Sequence, residues 1–163
     1  MKCPLYNRYM KLIFLDIDGV MNSITGHPPY EADMETEKLR LLKRIIVDTD
    51  SRGIVLISDR RFSGSYMKEF LAVMGKYEIP VVGQIRNPKS IHEDLNDNRG
   101  EQIMDYLVSS KEQIESLVIL DDTDDGISSL FEDRYIHVNR YYGLSEAVAQ
   151  RAKEILERDH FGE

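Results

Sequence analysis

The chain has 163 residues, the length of one domain or of one domain with a short appendage, which excludes a multidomain machine. A hydrophobic content of 42% is enough to build a core in a chain of this size, which argues against disorder. A net charge of −8 argues against a protein held to nucleic acid or anionic lipid by bulk electrostatics, and still permits a local basic pocket.

The single cysteine, Cys3, can form neither an intramolecular disulfide nor a multi-thiolate metal site, so a reducing cytoplasm is the expected compartment. Residues 1–9 precede a second methionine, Met10, and read as an N-terminal extension to a domain over residues 10–163. The first apolar run, Leu12-Ile-Phe-Leu15, is cut by Asp16. That is far short of a signal-peptide core or of the roughly 20 residues that span a bilayer, and no membrane partner is expected.

As a short continuous apolar run, Leu12 to Leu15 predicts a strand buried on both faces of a parallel sheet. Residues 21–34, with Gly26, Pro28 and Pro29, read as a loop. Leu39, Leu42, Ile45 and Ile46 then repeat with a helical period. Ile54 to Ile57 predicts a second strand; Met67, Phe70, Leu71 and Met74 a second helix; and Val81-Val82 a weaker strand. Residues 83–99 read as a second long loop, and long loops in compact domains are often functional. A helix through Ile103, Met104, Leu107 and Val108, a strand Leu117 to Leu120, a weaker strand Tyr135 to Val138, and a helix through Leu144, Val148, Ala152, Ile155 and Leu156 complete the chain. Strand–helix alternation of this kind predicts an α/β sandwich with helices on both faces of a mostly parallel sheet.

Each strong strand ends in polar residues. The first runs into Asp16-Ile17-Asp18-Gly19, the second into Ser58-Asp59-Arg60-Arg61, and the third into Asp121-Asp122-Thr123-Asp124-Asp125-Gly126. Ligands of open parallel sheets bind at the carboxyl ends of the strands, so three segments deliver polar groups to one edge. Asp16 and Asp18 share a face while the chain stays extended, and Gly19 permits the turn that follows. With Asp121 and Asp122, four carboxylates gather. Two unit charges 4 Å apart repel by about 4 kcal/mol at an effective dielectric near 20, so the cluster calls for a cation. All-oxygen ligands favour Mg²⁺ or Ca²⁺, and Mg²⁺ is the ion usually held by a few carboxylates plus a substrate phosphate. A Mg²⁺-assisted phosphoryl-transfer site is the resulting expectation; the bland reading makes the same aspartates turn and helix-cap residues.

These motifs resemble those of the haloacid dehalogenase (HAD) superfamily of phosphohydrolases, in particular its small domains from bacterial and phage RNA-repair-type proteins. The match runs from residue 11 to about 156. It is carried by IFLDIDGV for the first motif, IVLIS ending in Ser58 for the second, and LVILDDTDD for the fourth. Arg99 lies where the third motif supplies its cation, with Lys89 as second choice. Where related small domains carry an SSWR-like stretch, this chain has Ser58-Asp59-Arg60-Arg61 and no tryptophan. The resemblance implies a three-layer, Rossmann-like fold. Asp16 would be the nucleophile, Asp18 the general acid and then base, and Ser58 and Arg99 the holders of the phosphoryl oxygens. Mg²⁺ would be bound by Asp16, the Asp18 backbone carbonyl and Asp122, with Asp121 as the alternative ligand and Asp125 orienting its neighbours. Superfamily members often carry a cap domain, but neither residues 17–57 nor residues 59–98 leave room for one. An uncapped site favours an exposed phosphate, on a nucleic-acid end, a nucleotide or a phosphoprotein.

Arg60, Arg61 and Lys68 read as a local basic patch beside Ser58 that meets such a substrate, against the alternative of a solvated helix edge. Tyr30 with Pro28 and Pro29 reads either as a base-stacking flap or as a packed loop. His27, His92, His137 and His160 show no metal spacing, the methionines read as core filler, and Tyr141-Tyr142-Gly143 reads as a strand-to-helix turn. Two other functions compete: a receiver-like phosphoacceptor and a degenerate binding module. A receiver places its acidic pair near the first strand and its phosphorylated aspartate on a middle strand; here the second strong strand ends in Ser58 and the dense acidic run comes late, which favours the hydrolase.

Overall fold

The computed structural model describes residues 9–24, 33–88 and 97–158. Most of the expected N-terminal extension and the centres of both long loops, including Pro28, Pro29, Tyr30 and Lys89, lie outside the described residues. The elements follow the expected alternation: β1 (Met10–Leu15), α1 (Thr36–Thr49), β2 (Gly53–Leu56), α2 (Gly64–Lys76), β3 (Val81–Gln84), α3 (Arg99–Ser109), β4 (Ile114–Asp121), α4 (Ile127–Phe131), β5 (Tyr135–His137) and α5 (Glu146–Leu156).

The five strands form one sheet in the order β3-β2-β1-β4-β5, with every pairing parallel. The order reverses at β1, which pairs with β2 on one side and β4 on the other. A sheet buried on both faces must be apolar on both, which is why its strands read as unbroken runs rather than alternating ones. Ile13, Leu15, Ile54, Leu56, Val118 and Leu120 point to one face and pack against α1, α2 and α5. Their neighbours Leu12, Phe14, Val55, Ile57, Leu117 and Ile119 point to the other, under α3 and α4. The result is the three-layer sandwich expected from the sequence.

Three details depart from the expectation. Gly83 and Gln84, placed in a loop, continue β3, because their backbones pair with Val55 and Leu56. Arg99, expected just ahead of a helix, is the first residue of α3; Asn98 is its N-cap, and the Asn98 side chain accepts a hydrogen bond from the Glu101 amide at 2.9 Å. The α4 helix and the 3₁₀ turns Asp59–Phe62 and Glu132–Arg134 carry no periodic signal, since each is too short to repeat an apolar face. Among the described residues between β1 and β2, and between β2 and α3, only α1, α2, β3 and one 3₁₀ turn occur, with no cap domain.

Candidate active site

The carboxyl ends of β1, β2 and β4 lie side by side. Backbone pairing runs past the strands themselves: the Asp16 amide donates to Leu120 O at 3.0 Å and the Ile57 amide to Leu15 O at 3.0 Å. Asp16 and Asp121 therefore emerge at one level, with Ser58 one residue beyond it on the neighbouring strand, at the point where the strand order reverses. All three are buried, as is Asp122.

Asp16, Asp121 and Asp122 each offer a carboxylate oxygen, and these lie within 4.8 Å of one another. Gly19 makes room for this. Its φ of +80° turns the chain sharply after Asp18, and a Cβ there would collide with the Asp122 carboxylate. Burial, and beyond it the neighbouring charge of Asp121, push the Asp16 carboxyl well above its usual range, with Arg99 pulling the other way. Burial likewise raises Asp121, opposed by Arg99. Clustered oxygens that resist holding their charges unaided suit a hard divalent cation, so the donor set fits Mg²⁺.

Arg99 faces the same cluster. Its guanidinium donates to Asp121 Oδ2 at 2.7 Å and to Asp59 Oδ1 at 3.0 Å, and stands 4.0 Å from Asp16 Oδ1. Burial works against its charge, but Asp121 and Asp16 outweigh that and hold its pKa above the ordinary value. Its position is set by backbone. The Arg99 amide donates to Asp125 Oδ2 at 3.1 Å and the Gly100 amide to Asp125 O at 3.0 Å. Gly100 lies so close to Gly126 that a Cβ on it would collide with the Gly126 carbonyl oxygen. The start of α3 is thereby fixed against the β4–α4 loop.

Asp18 is not among the clustered carboxylates, so the structure gathers three of the four acidic groups the sequence brings together, and not Asp18. Arg60 grips it with two hydrogen bonds, Nε to Oδ2 at 2.7 Å and Nη2 to Oδ1 at 2.5 Å, a bidentate charged pair. Asn22 adds Nδ2 to Asp18 Oδ1 at 3.2 Å while its Oδ1 accepts from the Gly19 amide at 3.0 Å. The Arg60 guanidinium lies 4.8 Å above the Tyr66 ring. Ser58 Oγ accepts from the Arg60 amide at 3.3 Å, starting the 3₁₀ turn that carries Arg60. The structure thus links Asp18 and Ser58 through Arg60, and brings Asp16, Asp121, Asp122 and Arg99 together.

Arg61 does not belong to the basic patch in which the sequence placed it. Its side chain is fully enclosed (0% exposed), because 3₁₀ geometry turns it inward while Arg60 stays at the crevice. It donates to Ile57 O at 3.1 Å and Ser58 O at 2.9 Å at the end of β2, and to Gln102 Oε1 at 3.0 Å in α3. It is a strut between the segments that bear Ser58 and Arg99, and not a surface for substrate. Arg61→Ala would strand these buried acceptors and leave a void; the expected loss of stability is about 3 kcal/mol, seen as a lower urea midpoint with unchanged slope. Of the expected patch, Lys68 is exposed and Arg60 is committed to Asp18.

The acidic run after β4 divides in two. Asp124 accepts from the Ser128 amide at 2.8 Å and so supports the start of α4, as the turn-and-cap reading anticipates. Asp125 holds the Arg99 backbone. Three contributors escaped the sequence reading: Asn22, whose one signal is a polar residue closing the apolar Val20-Met21 step; Asp59, which accepts from both Arg99 and Arg61; and Arg140, whose Nε lies 3.3 Å from Asp122 Oδ2.

A parallel α/β sheet with a buried acidic cluster and a facing arginine at its switch point defines a HAD-type domain. The family described as "HAD domain in Swiss Army Knife RNA repair proteins" matches residues 12–149, and the chain belongs to it. No curated protein and no solved structure matches the chain. No helix among the described residues is long and apolar enough to cross a membrane.

Proposed function

We propose that the chain is a Mg²⁺-dependent phosphatase of exposed phosphomonoesters, working through a phosphorylated Asp16. The observation that carries this reading is the convergence of Asp16, Asp121 and Asp122 on one point beside Arg99. The phosphohydrolase character of HAD domains and the description of this family as part of RNA-repair proteins support it. Asp16, the Asp18 backbone carbonyl and Asp122 would hold the ion, with Asp121 as the alternative ligand. When bound, it neutralises the carboxylates and polarises the phosphoryl group.

In the first step an Asp16 carboxylate oxygen attacks phosphorus, the bond from phosphorus to the leaving oxygen breaks, and Asp18 gives that oxygen a proton. Asp18 must exchange at least one Arg60 contact for the leaving group to do so. In the second step Asp18 takes a proton from water, whose oxygen attacks phosphorus and releases phosphate and free Asp16. Ser58 contributes its hydroxyl proton, and Arg99 its charge, to the phosphoryl oxygens. Most of the catalytic effect then comes from positioning and charge stabilisation. The described residues include no cap over the crevice, which fits a phosphate carried on a nucleic-acid end, a nucleotide or a phosphoprotein.

The test is direct. Purified chain in MgCl₂ should hydrolyse p-nitrophenyl phosphate, and EDTA should stop it. Independently of turnover, MgCl₂ at about 100 times its dissociation constant should stabilise the fold by about 2.7 kcal/mol and raise the melting temperature. Absence of both effects would remove the proposal.

A further inference from the structure

The rim over the end of β5 has no part in the steps above. A pocket of about 480 Å³ opens there, lined by Asp122, His137, Val138, Asn139, Arg140 and Tyr141. It shares Asp122 with the acidic cluster, so it borders the place proposed for the substrate's phosphate. Its outer wall is the turn between β5 and α5, and that turn is tightly held. The Tyr141 amide donates to Asn139 Oδ1 at 3.0 Å, the Gly143 amide to Asn139 O at 2.8 Å, the Leu144 amide to Val20 O at 2.7 Å, and the Ile24 amide to Arg140 O at 2.8 Å. Gly143 takes the left-handed φ of +64° that closes the turn.

On this fixed backbone, Tyr141 and Tyr142 stand 63% and 70% exposed. Their rings pack on no aromatic or cationic neighbour among the described residues. Arg140 beside them spends Nε on Asp122, and its two terminal nitrogens have no hydrogen-bond partner among the described residues. Two adjacent aromatic rings and a part-free guanidinium, held out on a rigid turn at the mouth of a crevice, form a preorganised surface for flat, anionic material.

We propose that the β5–α5 turn is a stacking subsite for the terminal base of a single-stranded polynucleotide. Tyr141 and Tyr142 would take the base faces, and Arg140 the next phosphodiester. This rests on the phosphatase reading only for placing the end phosphate over Asp16. Base stacking on tyrosine tolerates every base, because each has a π-face, whereas a phosphopeptide offers no regular series of planar groups to match two rings. In a duplex every pair but the last is already stacked on both faces and the last is held by pairing, so a single strand, whose bases are free to splay onto both rings, is the form that fits.

The probe is a short dye-labelled single-stranded oligonucleotide with a terminal phosphate, followed by fluorescence anisotropy in EDTA so that no turnover occurs. The Tyr141→Ala/Tyr142→Ala double variant should bind on the order of tenfold to a hundredfold more weakly than the unaltered chain. The Tyr141→Phe/Tyr142→Phe variant should bind like the unaltered chain, since stacking needs the rings and not the hydroxyls. An oligonucleotide lacking its terminal base should not distinguish the alanine variant from the unaltered chain. Equal affinities of the two chains for the base-bearing strand, no saturable binding by the unaltered chain, or equal competition by a phosphoserine peptide would each overturn the subsite. Turnover of acetyl phosphate, measured separately, tells the two proposals apart. Turnover without a binding difference removes the subsite alone; a binding difference without turnover removes the phosphatase alone.

Discussion

Asp16→Asn should abolish Mg²⁺-dependent phosphatase turnover, by on the order of 10⁴-fold or more, equivalent to about 5.4 kcal/mol of transition-state stabilisation. The amide keeps the shape of the carboxylate but loses its nucleophilicity and one of the charges that would hold the ion. The same substitution should act in the opposite direction on stability. Ionised Asp16 is buried against Asp121 and Asp122, and its raised pKa means that carrying the charge at neutral pH opposes folding. The metal-free variant should therefore show a higher urea midpoint than the unaltered chain. Steady-state kinetics and equilibrium unfolding on one preparation check both halves. Retained turnover would show that Asp16 is not the nucleophile, and a lower midpoint would show that the carboxylate cluster is not under electrostatic stress.

Asp18→Asn should divide substrates by their leaving groups. General acid assistance contributes roughly 10²–10⁴-fold, and it matters most where the departing oxygen is strongly basic. Alkyl phosphates, including sugar phosphates at nucleic-acid ends, should lose activity in that range, while acetyl phosphate, whose leaving group needs no proton, should lose far less in the first step. Because Asp18 in the proposed mechanism also takes the proton from water in the second step, phosphorylated Asp16 should accumulate and be trapped from acetyl phosphate by rapid acid quench. A uniform loss on both substrates, with no trapped species, would assign Asp18 to orientation instead. The pair with Arg60 makes this outcome informative about geometry, since both Asp18 oxygens are engaged in the resting site.

Much of the fold and its crevice was legible in the sequence because parallel sheets leave a plain signature. Runs such as Leu12 to Leu15 and Leu117 to Leu120 are apolar throughout, since both faces are covered, and the residues that follow them necessarily emerge on one edge. That edge gathers Asp16, Asp121 and Asp122, with Ser58 following the neighbouring strand β2. Side-chain direction after β2 was not legible. Arg60 and Arg61 are adjacent and chemically identical, and only the 3₁₀ turn opened by Ser58 sends one to Asp18 and buries the other. Arg140 escaped for a related reason: its nearness to Asp122 comes from strand pairing across β4 and β5, and nothing local in Asn139-Arg140-Tyr141 announces it.

At the seam where Gly100 meets Gly126 two parts of the chain touch main chain to main chain, beside the Asp125 carboxylate that accepts from the Arg99 amide. This contact and the bonds to Asp125 couple the start of α3 to the β4–α4 loop, which holds the Arg99 guanidinium in register with Asp121. An added methyl on Gly100 would pry this joint apart, and the site would lose its internal alignment with all of its side chains still present.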